Sequence, residues 1–500
     1  MQSQDWIKKW ATYSPNKVAV REGATGRDLT YAELNRTANG LAAHLKNDFG
    51  IKKGDRIAIL AENCLEYIVL FAVAQKTGFI LVPLNYRLAA AEIDYLLQNA
   101  RPKMAIGEAG FLPKLEACSH YEEITIRWSL EDLRIKCQAF KNQNTSVTFE
   151  VIPVAPDDPA FILYTSGTTG FPKGALYTHK MLFWNSINTA MSLIVNSESR
   201  TINCMPPFHT GGWNVLTTPF LHHGGFVCLT KKFDPGQVLE LLQKEQSTIF
   251  MGVPTMLKMM ADDAGFAEAD FSALHYIIVG GEPMPVPLIE KWDAVGVPVR
   301  QGYGMTEVGP NLTSLHQDDA IRKKGSIGRP NFYVDIKIVD DCGKQVPAGV
   351  SGELWLKGPM VTPGYWENEA ATKQSITDGW FHSGDLVRQD EEGYLYVVDR
   401  IKNMFISGGE NVYPAEVERV LVTHPAVSEV VVVGIPHEKW GEVGCAFIVK
   451  NEEVTEEAII AYAKEWLAGF KVPKSIRFLD SLPKNDTGKV ARKELKANLL

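Results

Sequence analysis

The apolar positions of the first half of the chain fall into two alternating rhythms. Thr30-Tyr-Ala-Glu33 followed by Leu34, Ala38, Leu41 and Leu45 has the three-to-four spacing of a helix over 30–46, opened by a capping box. Arg56-Ile-Ala-Ile-Leu60 is a short apolar run that predicts a strand, Asn63 to Gln75 a helix, and Phe79-Ile-Leu-Val-Pro83 a second strand. Ala91 to Asn99 and Lys103-Met-Ala-Ile106 repeat the pair. Beyond residue 160, buried strands are expected at Phe161–Tyr164, Val227–Thr230, Thr248–Met251 and Tyr276–Val279. Strands that alternate with helices predict a wound α/β sheet.

After about residue 330 the texture changes. Val334–Val339 and Gly352–Lys357 alternate like half-exposed strands, with Gly and Pro turns between them, and predict a small β subdomain. Beyond Asp399-Arg-Ile-Lys402, a helix at 414–423, a strand at 429–434 and a helix at 455–467 predict an α+β domain. The expected organisation is therefore α/β: a large N-terminal domain over 1–399, made of wound α/β subdomains and the β subdomain, and a C-terminal domain over 400–500. There are no internal repeats.

Composition narrows the classes of function. At 500 residues the chain exceeds one compact core. A hydrophobic share of 45% and a net charge of -8 describe a globular protein without a basic field for nucleic acid. Seven scattered cysteines form no CxxC pair and no zinc-type cluster, as expected of reduced thiols. The N-terminus carries no secretory h-region, and the apolar run Tyr67 to Ala74 is far short of the ~20 residues of a membrane span. A cytoplasmic enzyme with no transmembrane segment is expected, contact with a membrane surface being left open.

Candidate chemistry begins directly after the strand at 161–164. Thr165-Ser166-Gly167-Thr168-Thr169-Gly170-Phe-Pro-Lys173-Gly174 crowds hydroxyls, glycines and one lysine into ten residues. Glycines admit close backbone N–H groups, hydroxyls donate hydrogen bonds and Lys173 neutralises charge, a composition suited to a polyphosphate. It is not a Walker A loop, because Lys173 follows Pro172.

That string resembles the phosphate loop of the adenylate-forming superfamily, which comprises acyl- and aryl-CoA synthetases, peptide-synthetase adenylation domains and beetle luciferases. The resemblance recurs in family order over roughly residues 5 to 495. Gln301-Gly302-Tyr303-Gly304-Met305-Thr306-Glu307 is similar to the family's adenine and metal motif. The resemblance implies that Tyr303 lies on adenine, Thr306 contacts the α-phosphate, and Glu307 with Thr165 holds Mg²⁺; Gly281, Glu282 and Pro283 would lie near adenine. Gly379-Trp-Phe-His-Ser-Gly-Asp385 and Arg400 resemble the ribose-binding positions, and Lys402 the hinge about which the C-terminal domain turns. Ser407, Gly408, Gly409 and Glu410 would line a pantetheine channel, with Trp440 and Phe470 also on the CoA side. Pro483-Lys-Asn-Asp-Thr-Gly-Lys489 resembles the C-terminal loop with the catalytic lysine, here Lys489.

The resemblance also bears on the acid and the acceptor. Met205-Pro-Pro-Phe-His-Thr-Gly-Gly-Trp213 sits where the family lines its acyl pocket, with Val253, Gly280 and Gly302 as further walls. Amino-acid-activating members carry an aspartate after the phenylalanine, whereas this chain has His209. An ammonium buried without a counter-ion is costly, which disfavours amino acids. Trp213 either shortens the pocket or packs in its wall, and His209 either gates the thiol channel or packs. The Ser407–Pro414 and Trp440-Gly-Glu442 strings resemble bacterial fatty-acid–CoA ligases. The expected activity is thus conversion of a carboxylic acid, a medium- or long-chain fatty acid, to acyl-adenylate and then acyl-CoA with ATP, Mg²⁺ and CoA. An aryl-acid–CoA ligase and an acyl-AMP ligase loading a carrier protein are the alternatives.

Overall fold

The computed structural model describes residues 5–143, 148–165, 172–281, 284–408, 410–484 and 489–497. It is a mixed α/β architecture with a large N-terminal part and a smaller C-terminal part, and its contacts divide it into two compact units. One unit comprises Met1–Asp335 with Leu356–Phe381, the other Ile336–Trp355 with His382–Leu500.

Helix α1 (Tyr31–Asn47), which follows a short N-terminal helix over Trp6–Tyr13, starts at the expected capping box: Thr30 Oγ1 accepts from the Glu33 N–H at 3.2 Å and Glu33 Oε2 from the Thr30 N–H at 2.9 Å. Then come β1 (Arg56–Leu60), α2 (Leu65–Thr77), β2 (Ile80–Pro83), β3 (Met104–Gly107), β4 (Ile126–Ser129), β5 (Pro159–Thr165) and β6 (Lys173–Thr178), leading into α3 (His179–Leu193). The six strands form one sheet in the order β4-β3-β1-β2-β5-β6. The first five run parallel, while β6 returns antiparallel along β5. Helix α2 is buried along its whole length, as a helix apolar on every face must be. Its Lys76, fully buried, is neutralised by Asp5 at 2.7 Å and bonded to Asn35.

A second sheet carries β7 (Ile249–Gly252), β8 (Tyr276–Val279) and β9 (Val299–Tyr303) in parallel, with β10 (Thr313–Ser314) antiparallel beyond. Strand β6 escapes a pattern reading because Lys173-Gly-Ala-Leu has little of the β-branched content that marks strands. In the second unit, β11 (Trp380–Gln389) and β12 (Leu395–Arg400) pair antiparallel. A later sheet is built around the long hairpin Val427–His437 with Gly441–Lys450, and Pro414–Leu421 and Glu456–Trp466 are its helices. Six of the seven cysteines are buried, Cys342 is exposed, and none is paired. Among the described residues, no helix is long and apolar enough to cross a membrane.

One buried residue makes the fold sensitive to acid. His179, the first residue of α3, is 1% exposed, and neither ring nitrogen has a hydrogen-bond partner among the described residues. Burial lowers its pKa to about 4 against an ordinary 6.5. Burial likewise lowers His222, which stacks on Trp6, to about 3. A depressed histidine binds its proton in the unfolded chain first, so stability falls as pH drops from 6.5 toward 4. Denaturant titrations at pH 7 and pH 5 should differ by about 2 kcal/mol from His179 alone, and His179→Gln should remove that part. Equal stability of the parent protein at the two pH values would contradict the buried neutral imidazole.

Candidate functional site

The hairpin β5–β6 brings the two ends of the glycine-rich string together, with Thr165 and Lys173 in register as a strand pair. Ser166, Gly167, Thr168, Thr169 and Gly170 lie outside the described residues. Across from Thr165 stands Glu307, carried on the short 3₁₀ turn Thr306–Val308 that follows β9. Thr165 Oγ1 donates to Glu307 Oε1 at 3.2 Å. Tyr365 O–H donates to the same oxygen at 3.1 Å. The Thr362 N–H donates to the Glu307 carbonyl at 2.7 Å and holds that backbone. Lys173 Nζ lies 5.4 Å from the Tyr365 ring centroid, on its face, a cation–π contact. Burial, and then the charge of Glu307, push the Tyr365 phenol well above its ordinary range.

This arrangement can be tested against a magnesium–nucleotide complex. Glu307 is a carboxylate only 8% exposed, and two neutral hydroxyls donate to one of its oxygens. Among the described residues, no group of three or more His, Cys, Asp or Glu could cage a metal alone. Mg²⁺ is usually held by one or two carboxylates together with substrate phosphates, and a lone buried carboxylate beside a hydroxyl and a lysine suits that mode. Tyr365 was not visible in the sequence pattern, since Pro363-Gly-Tyr-Trp reads as an ordinary turn.

The other nucleotide candidates of the first unit surround β9. Gly304 lies so close to Pro310 that an added Cβ would sit 1.8 Å from its carbonyl oxygen, so only glycine permits this approach. Gly281 follows β8, with Val253 the nearest group to it, and Gly280 faces the Gly302 carbonyl. Glu282 and Pro283 lie outside the described residues. Gln301 is turned into the protein: Oε1 accepts from the Met284 N–H at 3.0 Å and Nε2 donates to the Ser326 carbonyl. Tyr303 is half-buried, its carbonyl accepting from the Leu312 N–H, and Met305 precedes the 3₁₀ turn.

The acyl-pocket string forms a turn and then a π-helix, Gly211–Val215, a form frequent at functional sites. His209 is half-buried with its ring against Phe208, 4.4 Å between centroids. Trp213 is 2% exposed, its Nε1 donates to the Pro207 carbonyl at 2.7 Å, and its ring packs among Tyr67, Phe71 and Phe161. The cavity beside it holds only about 10 Å³, at the lower limit for one water.

In the second unit, Asp385 and Arg400 are register partners on β11 and β12, with Arg400 Nε 3.2 Å from the 3% exposed Asp385 carboxylate. Lys402 lies on the 3₁₀ turn Ile401–Asn403 just beyond. Desolvation first, then the positive charges of Arg400, Lys493 and Lys489, hold its ammonium below the usual lysine range. Ser407 is buried on a short strand and Gly408 N–H donates to the Trp440 carbonyl at 2.9 Å. Glu410 and Trp440 are exposed, Phe470 packs at the edge of the local core, and Gly409 lies outside the described residues. Lys489 directly precedes Val490, which forms a β-bridge with Lys484.

The AMP-binding enzyme profile matches residues 7–366, and the AMP-binding enzyme C-terminal domain profile matches residues 416–489. The chain belongs to the AMP-binding enzyme family. It is 38% identical over 493 residues to a feruloyl-CoA synthase of Amycolatopsis sp, covering 98% of each chain. It is 37% identical over 502 residues to the long-chain-fatty-acid–CoA ligase FadD13 of Mycobacterium tuberculosis, covering 99% of this chain and 98% of the relative. Among solved structures, o-succinylbenzoate coenzyme A synthetase (MenE) of Bacillus subtilis in complex with ATP and magnesium superposes with a TM-score of 0.87 at 32% identity, covering 98% of this chain and 99% of that one. Those relatives separate by acid while sharing CoA as the partner in their names, so family membership of this AMP-binding enzyme is compatible with aliphatic and aromatic acids alike.

Proposed function

We propose that this AMP-binding enzyme is an ATP-dependent, AMP-forming acid–CoA ligase whose acid is a medium- or long-chain fatty acid. The observation that carries the ATP-dependent part is the cluster of half-buried Thr165, Tyr365 and Lys173 about the buried Glu307. The absence of an acidic residue after Phe208 supports an acid without an ammonium group, and the long-chain ligase relative supports an aliphatic one. The similarity to a feruloyl-CoA synthase favours an aryl acid as the second reading. An AMP-release assay with CoA present, run over fatty acids of increasing length, benzoates and cinnamates, decides between them. Preference for cinnamates over every fatty acid would overturn the first reading.

A carboxylate attacks phosphorus without a general base; the barrier is the approach of two anions. Thr165 to Lys173 would grip the β- and γ-phosphates that depart as pyrophosphate, and the Thr306 hydroxyl the α-phosphate. Magnesium, when bound, supplies charge neutralisation on the phosphate oxygens, and Glu307 with Thr165 are the groups that would hold it. Lys489 would pair with the incoming carboxylate and the α-phosphate together. Asp385 and Arg400 would hold the ribose. The thiol of CoA, with a reference pKa of about 8.5, supplies enough thiolate for the second step.

The functional joint in this proposal is Lys402, dividing 1–399 from 400–500, so that the C-terminal part exchanges Lys489 for the Ser407–Glu410 segment between the two half-reactions. Lys402→Pro should leave pyrophosphate exchange within a few-fold of the parent and slow thioester formation at least about a hundredfold, because proline fixes φ where the chain must turn. Normal thioester formation in that variant would remove Lys402 from the hinge.

A further inference from the structure

The π-helix Gly211–Val215 leaves carbonyls that its own backbone does not satisfy, and side-chain amides and hydroxyls from elsewhere bond them. Asn203 Nδ2 and Thr217 Oγ1 donate to the Gly212 carbonyl at 2.8 and 2.9 Å. Asn185 Nδ2, from α3, donates to the Asn214 carbonyl at 2.6 Å. Asn311 Nδ2 donates to the Val215 carbonyl at 3.0 Å and lies 3.4 Å from the Asn214 carbonyl. Carbonyls only accept, so the amide orientation of Asn311 is dictated by its partners. Gly212 cannot carry a Cβ, which would lie 2.4 Å from the Pro206 carbonyl oxygen, so this turn has one backbone solution.

Asn311 stands four residues beyond Glu307 and is 8% exposed. Its N–H donates to Asn185 Oδ1 at 3.3 Å, and its carbonyl accepts from Asn331 Nδ2 at 2.8 Å. The Asn214 side chain, in turn, donates to Thr210 Oγ1, the neighbour of His209, at 3.2 Å. Two side chains in series, Asn311 on the Val215 carbonyl and Asn214 on Thr210, therefore link the turn that carries His209 to the segment that carries Thr306 and Glu307. Buried amides of this kind have no apolar substitute at equal geometry, because each lost donor strands a carbonyl.

We infer that Asn311 is a positioning residue for the first half-reaction: it sets the register between the acid-binding turn and the Thr306-Glu307 segment, and so the distance from carboxylate to α-phosphate. This rests on the reading of the His209 turn as the acid site. Displacement by about 1 Å costs on the order of a hundredfold in a reaction that depends on alignment.

The test compares Asn311→Leu, of similar size and without donors, with the parent enzyme, using the best acid of the panel above. The inference expects the acid KM to rise and single-turnover adenylate formation to slow by about ten- to a hundredfold. The KM for ATP and the rate of thioester formation from a supplied acyl-adenylate should stay within about threefold. A proportional fall in every parameter, or unchanged kinetics with only a lower melting temperature, overturns it. If Asn311→Leu does not fold, Asn331→Ala, which deletes only the donor to the Asn311 carbonyl, must raise the acid KM; no rise overturns the inference. His209→Ala serves as the control: if it leaves the acid KM unchanged, the acid-site reading itself fails.

Discussion

Replacing Lys489 by alanine is expected to reduce adenylate formation by about three orders of magnitude, while thioester formation from a supplied acyl-adenylate stays near the parent rate. The reason is electrostatic. The first step drives a carboxylate onto a phosphoryl group that is itself anionic, and one ammonium able to touch both lowers the barrier only while they approach. Once the adenylate exists, that repulsion is gone. The substitution should cost little stability, because the residues that flank it are held by other groups: Lys484 bridges to Val490, the Ala491 N–H donates to the Pro483 carbonyl at 2.8 Å, and Lys484 pairs with Glu429 at 2.8 Å. Pyrophosphate exchange measures the first step, and acyl-CoA formed from synthetic adenylate measures the second. Equal losses in both would refute a lysine that serves one half-reaction.

Glu307→Gln should be nearly as damaging to adenylation, by about a hundredfold to a thousandfold, with a weakened dependence on magnesium concentration. The change isolates charge from shape. The glutamine carbonyl can still accept from Thr165 and Tyr365, and the backbone bond from Thr362 is untouched, so the melting temperature should move little. A variant that retains adenylation within about threefold, with an unchanged magnesium titration, would exclude Glu307 as the residue that holds the cation.

The two predictions draw on different amounts of sequence information. Thr165 stands in a string whose composition suits a polyphosphate, the roles expected of Glu307 and Lys489 rest on the resemblance of their strings to family motifs, and the strand leading into Thr165 follows from a four-residue apolar run. The fully apolar strands of the wound sheets were legible because buried parallel strands are continuous apolar runs, whereas β4 and β9, which carry Arg127 and Arg300-Gln301, were not anticipated. Nor was strand β6, because its first four residues, Lys173-Gly-Ala-Leu, carry little strand signature and are held by pairing with β5. Tyr365 was not legible either: its contact with Glu307 closes over 58 residues and exists only once the fold has formed. Trp213 illustrates a third limit. Its identity was plain, but whether the indole faced substrate or core depends on χ angles. The structure surrounds the ring with Tyr67, Phe71 and Phe161.

The burial of the cysteines has a practical side. Burial raises the thiols of Cys118, Cys204 and Cys228 to about 11, 12 and 12, and those of Cys64, Cys137 and Cys445 are raised as well. Cys342 alone is exposed, in the turn between two strands of the second unit. The unmodified chain thus already offers a single addressable handle for a maleimide dye on the N-terminal side of Lys402. Time-resolved changes in that dye's emission could follow the motion inferred about Lys402 without removing any other thiol.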